Sequence, residues 1–249
     1  MTESTDSTPF PGPLVVIPAR LRSARLPEKP LYKLGGRELV LRVLDGARES
    51  ERAGRVIVAA DDERVAALVE ASGGEVMMTP DLPSGNDRAA YVAREIPSEF
   101  VINVQVDDPM IRGRVIDSMI NALEADPGVN LALLVKKIED PSEAVRESII
   151  KAVFDENFLA LYFSRSPIPF PRRAGTDCYK HIGPYAWRRE SLLEFASWPR
   201  TRLESAESLE MLRLLEKGRS IKCLETDIDG IEIDTPDDVR AFEEYLKKG

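Results

Sequence analysis

Histidine occurs once in these 249 residues, at His181, and cysteine twice, at Cys178 and Cys223. That scarcity excludes a multi-histidine zinc site. The two cysteines lie far apart without metal-ligand spacing and read as reduced thiols of a cytosolic protein. A Ser-His-Asp arrangement stays open, since it needs only one histidine. Any bound metal must be held by carboxylates, and oxygen ligands favour magnesium or manganese. No apolar run approaches the roughly 20 residues of a membrane span. Neither G-x-G-x-x-G nor G-x-x-x-x-G-K-[ST] occurs after the first apolar run, so the dinucleotide fingerprint and the P-loop are both missing. Basic excess is missing as well. Lys and Arg number 34 against 43 Asp and Glu, a net charge of −9. That balance argues against bulk nucleic-acid or anionic-membrane binding. Residues 1–13 lack the basic and apolar regions of a signal peptide and are expected to be a disordered tail of a cytoplasmic protein.

What is present is a 43% hydrophobic chain, enough for a real core. Strand-like and helix-like segments alternate. Strands are expected over 14–17, 55–60, 75–78 and 100–105. Helices are expected over 38–49, 62–71 and 86–95, and around Val115, Ile116, Met119, Ile120 and Leu123. Asp61 or Asp62 would cap the second helix, and Gly73-Gly74 would end it. The pattern predicts an α/β fold with a mostly parallel sheet. The second half is less regular. Strands are expected over 131–136, 149–154, 158–162, 221–225 and 231–233, and helices over 191–196 and 207–217. Thr235-Pro236-Asp237-Asp238 starts a last helix, with a cap, a proline at the first position and two acids in the first turn. The expected organisation is one domain, 14–249, with an inserted lobe at about 155–190.

Five stretches carry chemistry. Leu14-Val-Val-Ile-Pro-Ala-Arg20 is an apolar strand opening into a loop with Arg20, Arg25 and Lys29 within ten residues. Such a loop suits a polyphosphate, since Arg forks phosphate oxygens and Lys adds a mobile point charge. It also reads as a solvated basic turn. Ser84-Gly-Asn-Asp-Arg88 is a turn into a helix that exposes backbone N–H groups, or an ordinary cap. Asn103-Val-Gln-Val-Asp107-Asp108-Pro109 ends a strand in two acids, where an α/β sheet binds ligands. Asp107 there is either a magnesium ligand or a capping acid. Asp234, before the last helix, is either a second ligand or a helix-start acid. The fifth stretch is Lys180-His181-Ile-Gly-Pro-Tyr185, whose lone histidine is equally at home packed or solvated.

In this order and spacing the motifs resemble the CMP-Kdo synthetases, the 3-deoxy-manno-octulosonate cytidylyltransferases. The carrying motifs are V-V-I-P-A-R-x4-R-L-P-x-K-P, S-G-x-[ED]-R, N-V-Q-x-D-[ED]-P, A-L-Y-F-S-R-x-x-I-P, H-[IL]-G-x-Y and [VI]-D-T-P-[ED]-D. They run from Leu14 to the C-terminal helix. The G-x-G-x-R loop of hexose-1-phosphate nucleotidyltransferases is missing after Ile17. The resemblance implies a Rossmann-like nucleotidyltransferase sheet with a small inserted dimerisation lobe. It implies an Mg²⁺-dependent reaction in which an acceptor hydroxyl attacks the α-phosphorus of CTP and pyrophosphate leaves. Arg20, Arg25 and Lys29 would grip the triphosphate, with Arg25 also meeting the acceptor. Ser84 and Arg88 would contact the nucleotide, and Gln105 would lie beside cytidine. Asp107 and Asp234 would bind Mg²⁺. His181, Tyr185 and Glu210 would line the acceptor pocket, and residues 159–169 would fall in a homodimer interface. Positioning and charge neutralisation are what phosphoryl-type transfer needs.

The departures fall on the acceptor side. Val106 stands where the family has glycine, and Met211 where it often has glutamine. Pro184 enters the H-x-G-x-Y motif, and Arg112 and Arg114 add cations after Pro109, with Arg112 a candidate acceptor contact. Kdo or a Kdo-like sugar acid is the default acceptor. A small phosphonate carboxylate such as phosphonoformate is one alternative. A catalytically silent CTP-binding module is another, and a sugar-nucleotide-modifying or P-loop-free kinase-like α/β enzyme is a third.

Overall fold

The computed structural model describes residues 12–22, 26–173, 175–228, 230 and 232–248. The first half follows the expected alternation. It comprises β1 (Leu14–Ala19), a short 3-10 turn (Lys29–Leu31), the two-residue strands β2 (Lys33–Leu34) and β3 (Arg37–Glu38), α1 (Leu39–Arg48), β4 (Arg55–Ala60), α2 (Glu63–Ala71), β5 (Glu75–Met78), α3 (Gly85–Glu95), β6 (Phe100–Asn103) and α4 (Gly113–Ala125). Then come β7 (Leu131–Lys137), α5 (Pro141–Ala144), β8 (Lys151–Phe154), β9 (Ala160–Ser164), β10 (Tyr179–Arg188), α6 (Arg189–Ser197), α7 (Arg202–Glu207), α8 (Met211–Glu216), β11 (Ile221–Glu225) and α9 (Pro236–Lys248).

The central sheet has the order β11-β7-β10-β6-β1-β4-β5. Along that path β10 alone runs against the other strands, so the sheet is mostly parallel, as expected. All six residues of β1 are buried, because both faces of the sheet are covered. Val15 and Ile17 pack with α1 and α4 on one side. Leu14 and Val16 pack with α3 and α6 on the other. A strand buried on both faces reads as a continuous apolar run rather than an alternation.

Caps place the helices. Asp62 accepts a hydrogen bond from Arg64 N at 2.9 Å and so caps α2. Gly73, at φ +73°, turns the chain out of that helix, a left-handed position that favours glycine.

Three expectations change. The strand β10, ten residues long and central, was not foreseen. Gly183-Pro184 in its middle reads as a breaker, yet a register shift between Ile182 and Tyr185 absorbs it against β7. The helix expected over 207–217 begins only at Met211, as α8, while Glu207 ends α7 and Ser208 turns the chain between them with a left-handed φ of 55°. No strand forms at the described residues 232–234. There a single backbone bond, Ile233 N to Asp107 O at 2.8 Å, ties the chain beside the end of β6. Residues 155–190 hold β9 and β10. The β8–β9 hairpin pairs with the start of β10, and β10 itself lies between β6 and β7.

Candidate active site

The centre of the sheet positions the site. β1 and β6 are neighbours, so the loop after β1 and the acids after β6 emerge side by side at the carboxyl ends of the strands, where open α/β sheets bind ligands. A cavity of about 340 Å³ opens there. Arg20, Arg22 and Lys29 face it from the first loop, and Ser84, Gly85 and Arg88 from the start of α3. Gln105, Val106, Asp107 and Asp234 complete its wall. Arg22 was not singled out in the sequence. Arg25 lies outside the described residues.

Lys29 ties the acids together. Its ammonium donates to Asp107 Oδ2 at 2.9 Å and to Asp234 Oδ1 at 2.7 Å. Burial pushes the Lys29 pKa down, but the two carboxylates outweigh it and hold the ammonium protonated, above its ordinary value. Asp107 and Asp234, 127 positions apart in the numbering, therefore converge on one cation-binding point. No cluster of three or more metal-ligating side chains exists among the described residues. Two carboxylates fit a magnesium ion, which keeps waters and takes its remaining oxygens from phosphates. Asp234 is set by its own backbone: Asp234 N donates to Asp238 Oδ2 at 3.1 Å, in the same turn where Thr235 Oγ1 donates to that oxygen at 2.8 Å.

Arg88 is held inside the protein. It is 1% exposed and donates to Asp61 Oδ2 at 3.1 Å and to Thr79 Oγ1. Burial pushes its pKa down, and Asp61 offsets that. Asp61 Oδ1 also accepts from Leu21 N at 2.9 Å. Asp61 thus ties the cationic loop to α3, while its neighbour Asp62 does the capping. The paired acids at the end of β4 were a visible signal, but only tertiary contact divides their roles.

A second cavity of about 420 Å³ adjoins the first and shares Gly85, Gln105 and Asp107 with it. His181, Tyr185 and Glu210 all line it. His181 and Tyr185 stack at 5.3 Å, and Tyr185 Oη donates to Met211 Sδ at 3.7 Å. Burial raises the Tyr185 pKa, so the phenol keeps its proton. Burial also raises Glu210, against hydrogen bonds that favour the anion. Arg112 and Arg114 face neither cavity. Arg112 donates to the neighbouring Ile111 O at 2.9 Å, and Arg114 borders a separate groove with Ser118 and Lys222. Val106 is 8% exposed and packs into the core, so its branched side chain sits beside Asp107 without displacing it.

Several site residues escaped the sequence reading. Gln105 Nε2 donates to Asn103 Oδ1 (2.9 Å), Asn103 Nδ2 to Asn86 Oδ1 (2.8 Å), and Asn86 Nδ2 to Glu210 Oε2 (2.8 Å). This buried relay joins β6, α3 and the start of α8. A Cβ on Gly85 would lie 3.0 Å from Gln105 Oε1, so a side chain there would press on the Gln105 amide where the relay meets both cavities. Lys180 and Glu143, paired at 2.7 Å, form part of the second cavity's rim. Glu232 faces the same cavity. Although Glu232 as a whole is exposed, desolvation of its carboxyl, then the charges of Asp107 and Asp234, push that carboxyl up to about 7.

His181 Nε2 is sealed from solvent and has no hydrogen-bond partner among the described residues, although the residue as a whole is only half-buried. A buried polar atom without a partner is costly, so the ring is held there by its packing against Tyr185. Burial lowers the His181 pKa from 6.5 to about 4. The folded protein then binds fewer protons than the unfolded chain between those values. Its stability should fall as pH drops from 6.5 towards 4, by up to about 1.4 kcal/mol per pH unit from this one group. With a single histidine in the chain, one imidazole proton resonance reports it. The resonance should titrate with a midpoint near 4, and a midpoint near 6.5 would contradict the sealed environment.

Comparison with known proteins bears on this arrangement. A sequence model described as cytidylyltransferase matches residues 14–221. A 3-deoxy-manno-octulosonate cytidylyltransferase of Chlorobium limicola is 43% identical over 240 residues, covering 94% of this chain and 97% of that protein. Its counterpart from Chloroherpeton thalassium is 41% identical over 240 residues, covering 94% and 98%. The solved structure of a CMP:2-keto-3-deoxy-manno-octonic acid synthetase complexed with CTP superposes with a TM-score of 0.92 at 38% identity, over 95% of this chain and 99% of that one. The chain belongs to the 3-deoxy-manno-octulosonate cytidylyltransferase family. It is a nucleotidyltransferase enzyme with the mixed α/β sheet of that family. A 4-diphosphocytidyl-2C-methyl-D-erythritol synthase of Anaerococcus prevotii, 16% identical at a TM-score of 0.65, shares the fold alone. Among the described residues no helix of this family member is long and apolar enough to cross a membrane.

Proposed function

We propose that this cytidylyltransferase transfers CMP from CTP to 3-deoxy-manno-octulosonate with release of pyrophosphate. The observation that carries the reading is the meeting of two cavities at Gln105 and Asp107, one cationic and one walled by His181, Tyr185 and Glu210. The first suits a triphosphate: Arg20, Arg22 and Lys29 supply charge to its oxygens. The second suits a polyhydroxylated acid, with a phenol, a carboxylate, the Lys180 ammonium and the His181 ring on its walls. An acceptor hydroxyl placed at the shared wall is near the α-phosphorus, so the walls do the work of orientation. Asp107 and Asp234 are the residues that would hold Mg²⁺, which when bound neutralises charge on the phosphates and the leaving pyrophosphate. Lys29, now between these acids, would turn to the phosphates. The relatives' names support the sugar acid and lend nothing to a phosphonate acceptor or to a silent module.

The test is pyrophosphate release with CTP, Mg²⁺ and Kdo, set beside other 2-keto sugar acids. Release with Kdo is expected, and His181→Ala should raise KM for Kdo by roughly tenfold with KM for CTP little changed, the scale of losing one or two hydrogen bonds. Binding of CTP without turnover on Kdo would overturn the reading. The same reading places the reaction in the cytoplasm, where CTP is made, and in a homodimer. Leu161 and Phe170, 63% and 82% exposed, are apolar surface of the kind a second copy covers.

A further inference from the structure

Lys151 is wholly buried, yet among the described residues no carboxylate pairs with it within ion-pair distance. Its ammonium donates instead to three backbone carbonyls: Arg146 O at 2.9 Å, Ile149 O at 2.7 Å, and Arg165 O. Three donors meet three acceptors, so the group is saturated. Two of those carbonyls belong to the irregular segment 146–150. Two further carbonyls of that segment are also engaged by its surroundings. Arg165 Nη1 donates to Glu147 O at 2.9 Å, and His181 N donates to Ile150 O at 2.8 Å. Ser148, Ile149 and Ile150 from this segment line the second cavity, with Ile150 bonded directly beside His181.

Within this segment Ile149 N donates to Arg146 O at 3.2 Å, but without helix or strand its remaining carbonyls look outside the segment for partners. Here a lysine stem carries a triple donor to them from β8. The burial also pushes the Lys151 pKa down, with Arg165 adding to that. We infer that Lys151 is a positioning residue for the acceptor: by gathering the carbonyls of 146–150 it shapes the wall against which the sugar acid rests. This rests on the reading of the second cavity as the acceptor site.

Lys151→Met keeps the apolar stem and removes the three donors. In the full-length enzyme it should raise KM for Kdo at least tenfold, leave KM for CTP within twofold, and change kcat less than threefold. A merely structural role would not separate the two substrates. Equal rises in both KM values, or an unchanged KM for Kdo in a folded variant, would overturn the inference. If the variant does not fold, hydrogen exchange on the native enzyme decides. Kdo added in the presence of CTP should slow exchange of the 146–150 amides, and CTP alone should not. No change with Kdo overturns the inference. His181→Ala separates this from the broader reading. If His181→Ala raises KM for Kdo and Lys151→Met does not, only the role of Lys151 falls. If neither does, the acceptor site itself lies elsewhere.

Discussion

Asp107→Asn should lower kcat for CMP transfer by roughly three orders of magnitude, about 4 kcal/mol of transition-state stabilisation. The substitution keeps the side chain's shape and removes only its charge. Asp107 sits where the two cavities meet, and with Asp234 it forms the anionic point now held by Lys29 at 2.9 and 2.7 Å. On the proposed reading, losing one carboxylate would halve the charge available there for a divalent ion, which would in turn neutralise the polyphosphate. The loss should therefore appear mainly in kcat, with a smaller change in KM for CTP, because Arg20 and Arg22 still face the nucleotide cavity. Asp234→Asn should show a comparable drop. Steady-state pyrophosphate release checks both. Near-normal turnover by Asp107→Asn would remove it from the reacting centre.

Glu204→Ala should destabilise the fold by about 3–5 kcal/mol, the range for removing one partner of a buried ion pair. Arg213 is 5% exposed and Glu204 3%. Two hydrogen bonds join them, Nε to Oε2 at 2.8 Å and Nη2 to Oε1 at 2.5 Å, and the guanidinium lies 4.0 Å over the Phe195 ring. Alanine would leave the buried arginine without its counter-ion. Burial alone would raise the Glu204 pKa, but the hydrogen bonds and charge of Arg213 outweigh it and hold the carboxyl below its usual value. Its stabilisation is therefore present above the unfolded carboxyl pKa of about 4.3 and is lost as pH falls through the lower folded value. Chemical denaturation at pH 7 measures the loss. A change under about 1 kcal/mol would mean that the pair contributes little more than an exposed one. Replacing both partners together, Glu204→Leu with Arg213→Met, should be milder than the single change. The pair matters to function because it fastens α7 to α8. The break between them, at Ser208, leaves Glu210 and Met211 at the start of α8 beside Asn86 and Tyr185.

The contrast between Asp61 and Asp62 shows how far local reading goes. Either could cap α2 by its position. The choice was made by Leu21 N and the Arg88 guanidinium, which belong to other loops. Arg88 was expected at the nucleotide from the family resemblance; it borders the cationic cavity, but its charge is turned inward to Asp61. Arg112 and Arg114 looked like acceptor cations from their place after Pro109. The turn into α4 carries them away from both cavities. The relay through Asn103 and Asn86 had no signal beyond two asparagines in quoted motifs, since an amide's partners are set by direction and not by spacing.

The cationic loop, the strand-end acids, the capped helices and the first half of the sheet were determined by sequence alone. Each rests on a period, a cap or a breaker within a few residues, and such local terms act before the chain has folded. Tertiary structure decided the rest. It inserted β10 antiparallel through a Gly-Pro bulge, because neighbouring strands on both sides supply the hydrogen bonds a lone segment lacks. It brought Asp107 and Asp234 to one ammonium across more than a hundred residues, and it turned His181 Nε2 and the carbonyls around Lys151 into features of a cavity. Burial strengthens electrostatics and makes an unpaired polar group costly, and burial exists only once the distant parts of the chain have met.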